Sequence, residues 1–279
     1  MPTDNTVDVP QHRDALAALT DFQRDRQFRL IRKFSELLRP ALRAGEEVLF
    51  GSPASRPLSL VDIYYQGMLA GHYGRYVLMF TTERLFVFPT RGDFFPRASI
   101  SFIEYGDLDR IEVSGFISKN KITLRTRRGM RERFKLHYED IGPRVAAEIP
   151  DRVRVGRPTE RGERAFLCPK CHSIIGRESF ECSRCGTRFK SRAEALRRSM
   201  LIPGGGYFYT GEYFYGIADA IVEATLLLYM LIVIVDVAAN GLDAKGVAAL
   251  VGGTILIAFE KAMSVRHALA AVETYMVDE

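Results

Sequence analysis

Tyr76-Val77-Leu78-Met79-Phe80-Thr81, the corner Thr82-Glu83-Arg84, and Leu85-Phe86-Val87-Phe88 form two apolar runs of β-branched and aromatic residues joined by three polar ones. Such a pattern reads as two strands in hairpin order. Working outward, shorter runs of the same kind lie on either side. Glu47-Val48-Leu49-Phe50 precedes the hairpin. Ser99-Ile100-Ser101-Phe102, Asp109-Arg110-Ile111-Glu112-Val113, Lys121-Ile122-Thr123-Leu124-Arg125-Thr126 and Arg131-Glu132-Arg133-Phe134-Lys135-Leu136 follow it, the last two meeting across a turn at Arg128-Gly129. The expectation is seven strands in hairpin order over residues 45–150, closed by a helix from about Tyr138 to Ile149. Residues 54–72 read as an insertion without an assignable element.

Upstream, Leu16, Leu19, Phe22, Phe28, Ile31, Phe34 and Leu38 recur at helical spacing, with Arg24, Arg26, Arg29 and Arg32 on the other face. This predicts a helix of roughly thirty residues within an N-terminal segment 1–44, stopped at Pro40. Its apolar stripe either packs on the next domain or lies on a membrane surface.

Three short stretches carry a resemblance. Gly45-Glu46-Glu47-Val48-Leu49, Thr81-Thr82-Glu83-Arg84-Leu85-Phe86-Val87 and Ile103-Glu104-Tyr105-Gly106-Asp107-Leu108-Asp109-Arg110-Ile111-Glu112-Val113 are similar to the bacterial PH-like and GRAM-like domains. The resemblance covers residues 45–150. It implies a partly open seven-stranded barrel capped by a C-terminal helix, and a membrane-proximal or protein-binding role rather than an enzymatic one. The basic loop that phosphoinositide-binding PH domains carry between their first two strands is represented here chiefly by Arg56, so inositide recognition is not implied.

All four cysteines fall within 18 positions: Cys168-Pro169-Lys170-Cys171 and Cys182-Ser183-Arg184-Cys185-Gly186. Each Cys-x-x-Cys turns two sulfurs towards one metal, and two such knuckles supply the four thiolates of a closed tetrahedral zinc site. Iron, alone or in an iron–sulfur centre, is the competing metal. A segment of about twenty residues cannot bury its own core, so a structural metal supplies its folding energy. The segment 167–190 resembles the zinc ribbons at all four ligand positions. His172 stands where many knuckles have Gly and reads as an exposed loop residue, not a ligand. Residues 151–166, with their arginines, read as a linker.

Charge divides the chain. Residues 1–198 carry 36 Lys and Arg against 25 Asp and Glu, a net of +11, whereas residues 199–279 carry 3 against 9, a net of −6, giving +5 in all. The tail is apolar. Ile217–Ala239 is interrupted only by Asp219, Glu223 and Asp236, and Gly246–Val265 only by Glu260 and Lys261, with the polar turn Asn240–Lys245 between them. Helices of this length cross the ~30 Å hydrocarbon core, which predicts a two-helix transmembrane hairpin within 200–279, at about 213–239 and 246–265. A buried soluble helix pair is the alternative. Aromatics at Tyr207, Phe208, Tyr209, Tyr213, Phe214 and Tyr215 suit an interfacial belt, and Arg188, Lys190, Arg192, Arg197 and Arg198 just before them place both termini in the cytosol. Pro203-Gly204-Gly205-Gly206-Tyr207-Phe208-Tyr209-Thr210-Gly211 resembles the entry of small two-helix membrane domains of the TM2 type, although the polar motif some members carry between the helices is absent. No cleavable signal peptide is expected.

Intramembrane charges usually pair, so Lys261 is expected opposite Glu223 or Asp219. Arg125, Arg127, Arg131, Arg133 and Lys135 alternate with apolar residues and fall on one exterior face, either simply solvated or in contact with anionic headgroups. These features predict an α+β multidomain protein: an inner-membrane, two-pass, non-enzymatic adaptor with cytoplasmic PH-like and zinc-ribbon modules. Its expected partners are membrane lipid and another protein, with homo-oligomerisation open. A zinc-ribbon regulator acting on nucleic acid is the first alternative, and a small transporter or ion-pathway component the second.

Overall fold

Alternating side chains of the central strands are apolar on both faces, and each face needs its own cover. The computed structural model describes residues 20–57, 74–90, 94–115, 120–160, 162–176, 179–272, 274 and 277–278, and it divides into two compact units, Met1–Thr187 and Arg188–Glu279.

In the first unit, α1 (Asp21–Leu38) is followed by β1 (Val48–Ser55), β2 (Arg75–Thr81), β3 (Arg84–Pro89), β4 (Ile100–Glu104), β5 (Leu108–Ser114), β6 (Lys121–Thr126), β7 (Arg131–Leu136), α2 (Ile141–Val155) and β8 (Ala165–Leu167). The strands form one antiparallel sheet in the order β5-β6-β7-β1-β2-β3-β4-β8. β1 is the joint, pairing with β2 along its whole length and with β7 at Ala54 and Ser55.

Tyr76, Leu78 and Phe80 of β2 and Leu85 and Val87 of β3 point to one face, where Ile141, Val145, Ile149 and Val153 of α2 complete a core. Those four recur every fourth residue, a single helical stripe, and burying each contributes about 1.5–3 kcal/mol. Val77 and Met79 of β2 and Phe86 and Phe88 of β3 point to the other face, under Leu30, Ile31, Phe34 and Leu38 of α1. The apolar stripe of α1 is therefore taken up by the sheet. Gln27 fixes the contact, its side chain both donating to and accepting from the backbone of Gly51 at 2.9 and 2.8 Å.

Several expectations are corrected. α1 has 18 residues, because Thr20 and Gln23 form a reciprocal capping box that starts it at Asp21; residues 12–19 of the expected helix lie outside the described residues, as does most of the 54–72 insertion. α2 continues through Pro150 and ends at Gly156. The arginine-rich segment after it is bound to the sheet rather than loose. Thr159 donates from its backbone and its hydroxyl to Asp107, both at 2.6 Å. Arg164 reaches Ser101 Oγ and Glu132. The segment then supplies β8, an eighth strand that covers the β4 edge. A three-residue run is too short to show a period, which is why it read as linker.

The three stretches behind the PH-like resemblance meet inside this unit. Arg84 and Glu46 form a buried ion pair at 2.8 Å. Thr81 Oγ1 donates to Glu46 at 2.6 Å, and Tyr105 Oη donates to the Thr81 carbonyl at 2.9 Å.

The second unit contains α3 (Arg192–Leu201), α4 (Gly205–Tyr209), α5 (Tyr213–Asn240) and α6 (Ala244–Val272). α5 and α6 are long and apolar enough to cross a membrane, at about 42 and about 44 Å, and α6 runs seven residues past the expected end. Along α5 only Gly216 and Glu223 are buried, while Leu227, Leu228, Leu231, Ile232 and Val235 face outward. The helices approach at Gly253, where a Cβ would lie 2.2 Å from Met230 Sδ, a small residue letting backbones close up. The glycines before α5 are packing positions: a Cβ on Gly205 would sit 2.1 Å from the Arg198 carbonyl oxygen.

Candidate metal centre

The two cysteine knuckles are built alike. In the first, the Cys168 carbonyl accepts from His172 N at 2.8 Å and Cys168 N donates to the Ser173 carbonyl at 2.9 Å; in the second, the Cys182 carbonyl accepts from Gly186 N at 2.9 Å and Cys182 N donates to the Thr187 carbonyl at 2.8 Å. Each turn requires a left-handed residue one place after its second cysteine. Gly186 takes it at φ 69°, as a residue without Cβ readily does, and His172 takes it at φ 55°.

All four cysteines are free thiols, and their sulfurs lie within 4.8 Å of one another. Cys171 and Cys182 are 3.5 Å apart and Cys168 and Cys185 3.6 Å. A disulfide would bring sulfurs to about 2.05 Å. Four thiolates about one ion at 2.3 Å lie about 3.8 Å apart along the edges of the tetrahedron. The spacing fits one tetrahedrally held ion and leaves no room for a multinuclear cluster, so the residues present fit zinc.

Hydroxyls surround the sulfurs. Ser173 Oγ is 3.0 Å from Cys171 Sγ and 3.2 Å from Cys182 Sγ, and Thr187 Oγ1 is 3.1 Å from Cys185 Sγ. Donation to a thiolate stabilises its charge. The Ser173 hydroxyl accordingly brings Cys182 down to about 6, and Thr187 lowers Cys185, whereas burial pushes Cys168 up to about 11. Ser173 and Thr187 escaped the sequence reading. The signal was present, since both stand two residues after the second cysteine of a knuckle. His172 is half-buried rather than exposed; its Nε2 is buried without a hydrogen-bond partner, burial lowers its pKa, and it is not grouped with the sulfurs.

Among the other candidates, Lys261 Nζ pairs with Glu223 and donates to the Ser199 carbonyl at 2.9 Å. Asp219 lies beside Glu260 and Ser264 instead. On the sheet, Arg125 stands opposite Arg131 and Lys121 opposite Lys135. Arg131, Arg133 and Lys135 are exposed, Arg125 is half-buried, and Arg127 lies in the turn beyond β6. Like charges set directly across a ladder repel.

No family model matches the chain, and no curated protein matches it. Among solved structures, the C-terminal domain of an unknown protein from Leishmania infantum is similar at 15% identity over 43% of this chain and 92% of that one, with a TM-score of 0.27. At that score the likeness carries no argument.

Proposed function

We propose that this protein is a non-enzymatic, two-pass membrane adaptor. In this reading a PH-like or GRAM-like domain and a zinc ribbon stand on the cytosolic side, held there by the hairpin of α5 and α6. The observation that carries the reading is the outward apolar surface of the hairpin: Leu227, Leu228, Leu231, Ile232, Val235, Ile255 and Leu256 are all exposed, a surface that water does not tolerate over this length. The basic residues from Arg188 to Arg198 precede the first span and the polar turn between the spans has one Lys against one Asp, which supports cytosolic termini. Zinc serves folding here: it holds the two knuckles together and supplies the energy that so short a segment lacks. The basic face of β6 and β7 supports contact with an anionic leaflet.

Crosslinked capture of the full-length protein from membranes, compared with a variant lacking residues 200–279, tests this. The adaptor reading expects the variant to lose the partners. A variant that keeps all of them from the soluble fraction overturns it. Salt-sensitive retardation of DNA by the full-length protein would favour the nucleic-acid reading instead.

A further inference from the structure

Asp219 and Glu223 are one helical turn apart on α5, and Glu260 and Ser264 one turn apart on α6. The two pairs meet. One carboxylate oxygen each from Asp219, Glu223 and Glu260 lies within 4.8 Å of the others, and Asp219 lies beside the Ser264 hydroxyl and the Glu260 carboxyl. Three carboxylates in an apolar hairpin face one ammonium group, that of Lys261, which is committed to Glu223 and the Ser199 carbonyl. The Gly204 N–H adds a 3.4 Å contact to Glu223.

What remains is a set of oxygens that no N–H or ammonium group reaches among the described residues. Asp219 Oδ2, both oxygens of Glu260 and Ser264 Oγ are buried and have no hydrogen-bond partner. Ser264 is 1% exposed. Removing carboxylates from water without a counter-charge is among the costliest events in a fold. Four orphaned oxygens converging from two facing helices are what a bound cation would satisfy. Beside this cluster stands Gly206, where any side chain would intrude: a Cβ would lie 2.7 Å from Ser264 Oγ and 2.5 Å from Ser199 Oγ.

We propose that Asp219, Glu223, Glu260 and Ser264 form a binding site for one hard divalent cation inside the hairpin. The donors are all oxygens, the set preferred by Mg²⁺, Mn²⁺ and Ca²⁺ and not by zinc, whose structural sites favour sulfur and nitrogen. Three carboxylates less one ammonium leave a charge of −2, which one divalent ion cancels. Inward-facing carboxylates on facing helices are a known way for a helical bundle to hold a metal in its interior. The site is separate in sequence and in ligand chemistry from the cysteine knuckles, and it does not depend on the adaptor reading.

The probe is Mn²⁺, whose free aqua ion gives an electron paramagnetic resonance signal that is lost on binding. Full-length protein in nanodiscs, with zinc retained at the cysteines, is titrated with Mn²⁺. The expected result is one Mn²⁺ bound per chain, displaced by excess Mg²⁺ or Ca²⁺. E260Q and S264A each weaken it by about 10- to 100-fold while leaving one zinc per chain, a check that the protein is folded. Should E260Q fail that check, S264A, which removes no charge, decides alone. Absence of Mn²⁺ binding, or binding unchanged in the folded variants, overturns the site. So does an infrared band of protonated carboxylic acid that E260Q removes and Mn²⁺ does not displace, because protons would then supply the neutralisation.

Discussion

Replacing Glu46 with Ala tests whether one buried ion pair joins the segment before β1 to the corner between β2 and β3. Glu46 and Arg84 are 1% and 3% exposed. The guanidinium donates to Glu46 from Nε and Nη2 and to the Ala41 carbonyl at 2.7 Å, and stands 4.7 and 4.6 Å from the rings of Phe86 and Phe102. Without Glu46 it is a buried cation with one carbonyl and two aromatic faces, and breaking a buried pair from one side costs about 3–5 kcal/mol. The expected loss for Glu46→Ala is near the top of that range. Arg84→Met costs less, about 3 kcal/mol, because Glu46 keeps Thr81 Oγ1 and the Arg43 N–H at 2.6 and 2.9 Å. The double variant costs well under the sum, since neither charge is then left alone. Native-state hydrogen exchange on β2 and β3 amides of the full-length protein in detergent reads these values directly. About 4 kcal/mol appears as ~10³-fold faster exchange. A loss below about 1 kcal/mol for Glu46→Ala, or strictly additive losses, would refute the reasoning.

Three further outcomes are expected. Zinc affinity falls as the pH is lowered, because the ligands bind as thiolates. Burial holds the Cys168 thiol at about 11 in the metal-free protein, so zinc uptake at neutral pH releases protons, measurable by calorimetry in buffers of different ionisation enthalpy; buffer-independent heats would contradict this. His172→Gly relieves a left-handed residue at φ 55° and strengthens zinc retention against a chelator by about 1 kcal/mol, whereas His172→Val weakens it; equal retention in both would show that the turn carries no strain. Gly205→Ala places a Cβ 2.1 Å from a backbone oxygen, while Gly252→Ala, within α6, meets nothing within 4 Å. The first therefore lowers the melting temperature of the detergent-solubilised protein by more than the second, and the reverse order would show that the α3–α4 contact is not close.

Legibility in the sequence tracked how local each feature is. The zinc knuckles could be read because all four ligands and both turns lie within 18 positions, so spacing alone specifies the geometry. The strands of the first unit could be read because runs rich in Val, Ile, Phe and Tyr, alternating with basic residues in β6 and β7, are separated by turn residues. β8 could not, since three residues carry no period and its role is set by the β4 edge it meets, more than sixty positions away. Thr20 as the start of α1 was hidden because apolar spacing continues upstream of the capping box. In the hairpin, the charge on Lys261 pointed to a partner, but the convergence of Glu260 and Ser264 on Asp219 depends on how two helices are rotated about their axes, which local patterning does not encode.

In the proposed arrangement the hairpin spans a bilayer and displays the zinc-bearing unit on its cytosolic side. Alkaline carbonate extraction of membranes carrying the full-length protein, followed by protease treatment of right-side-out and inverted vesicles, tests it most directly. The protein is expected to stay in the pellet, residues 20–198 to be cleaved only in inverted vesicles, and α5 and α6 to survive as a protected fragment. Release by carbonate, or cleavage of the zinc segment from the outside, would contradict it.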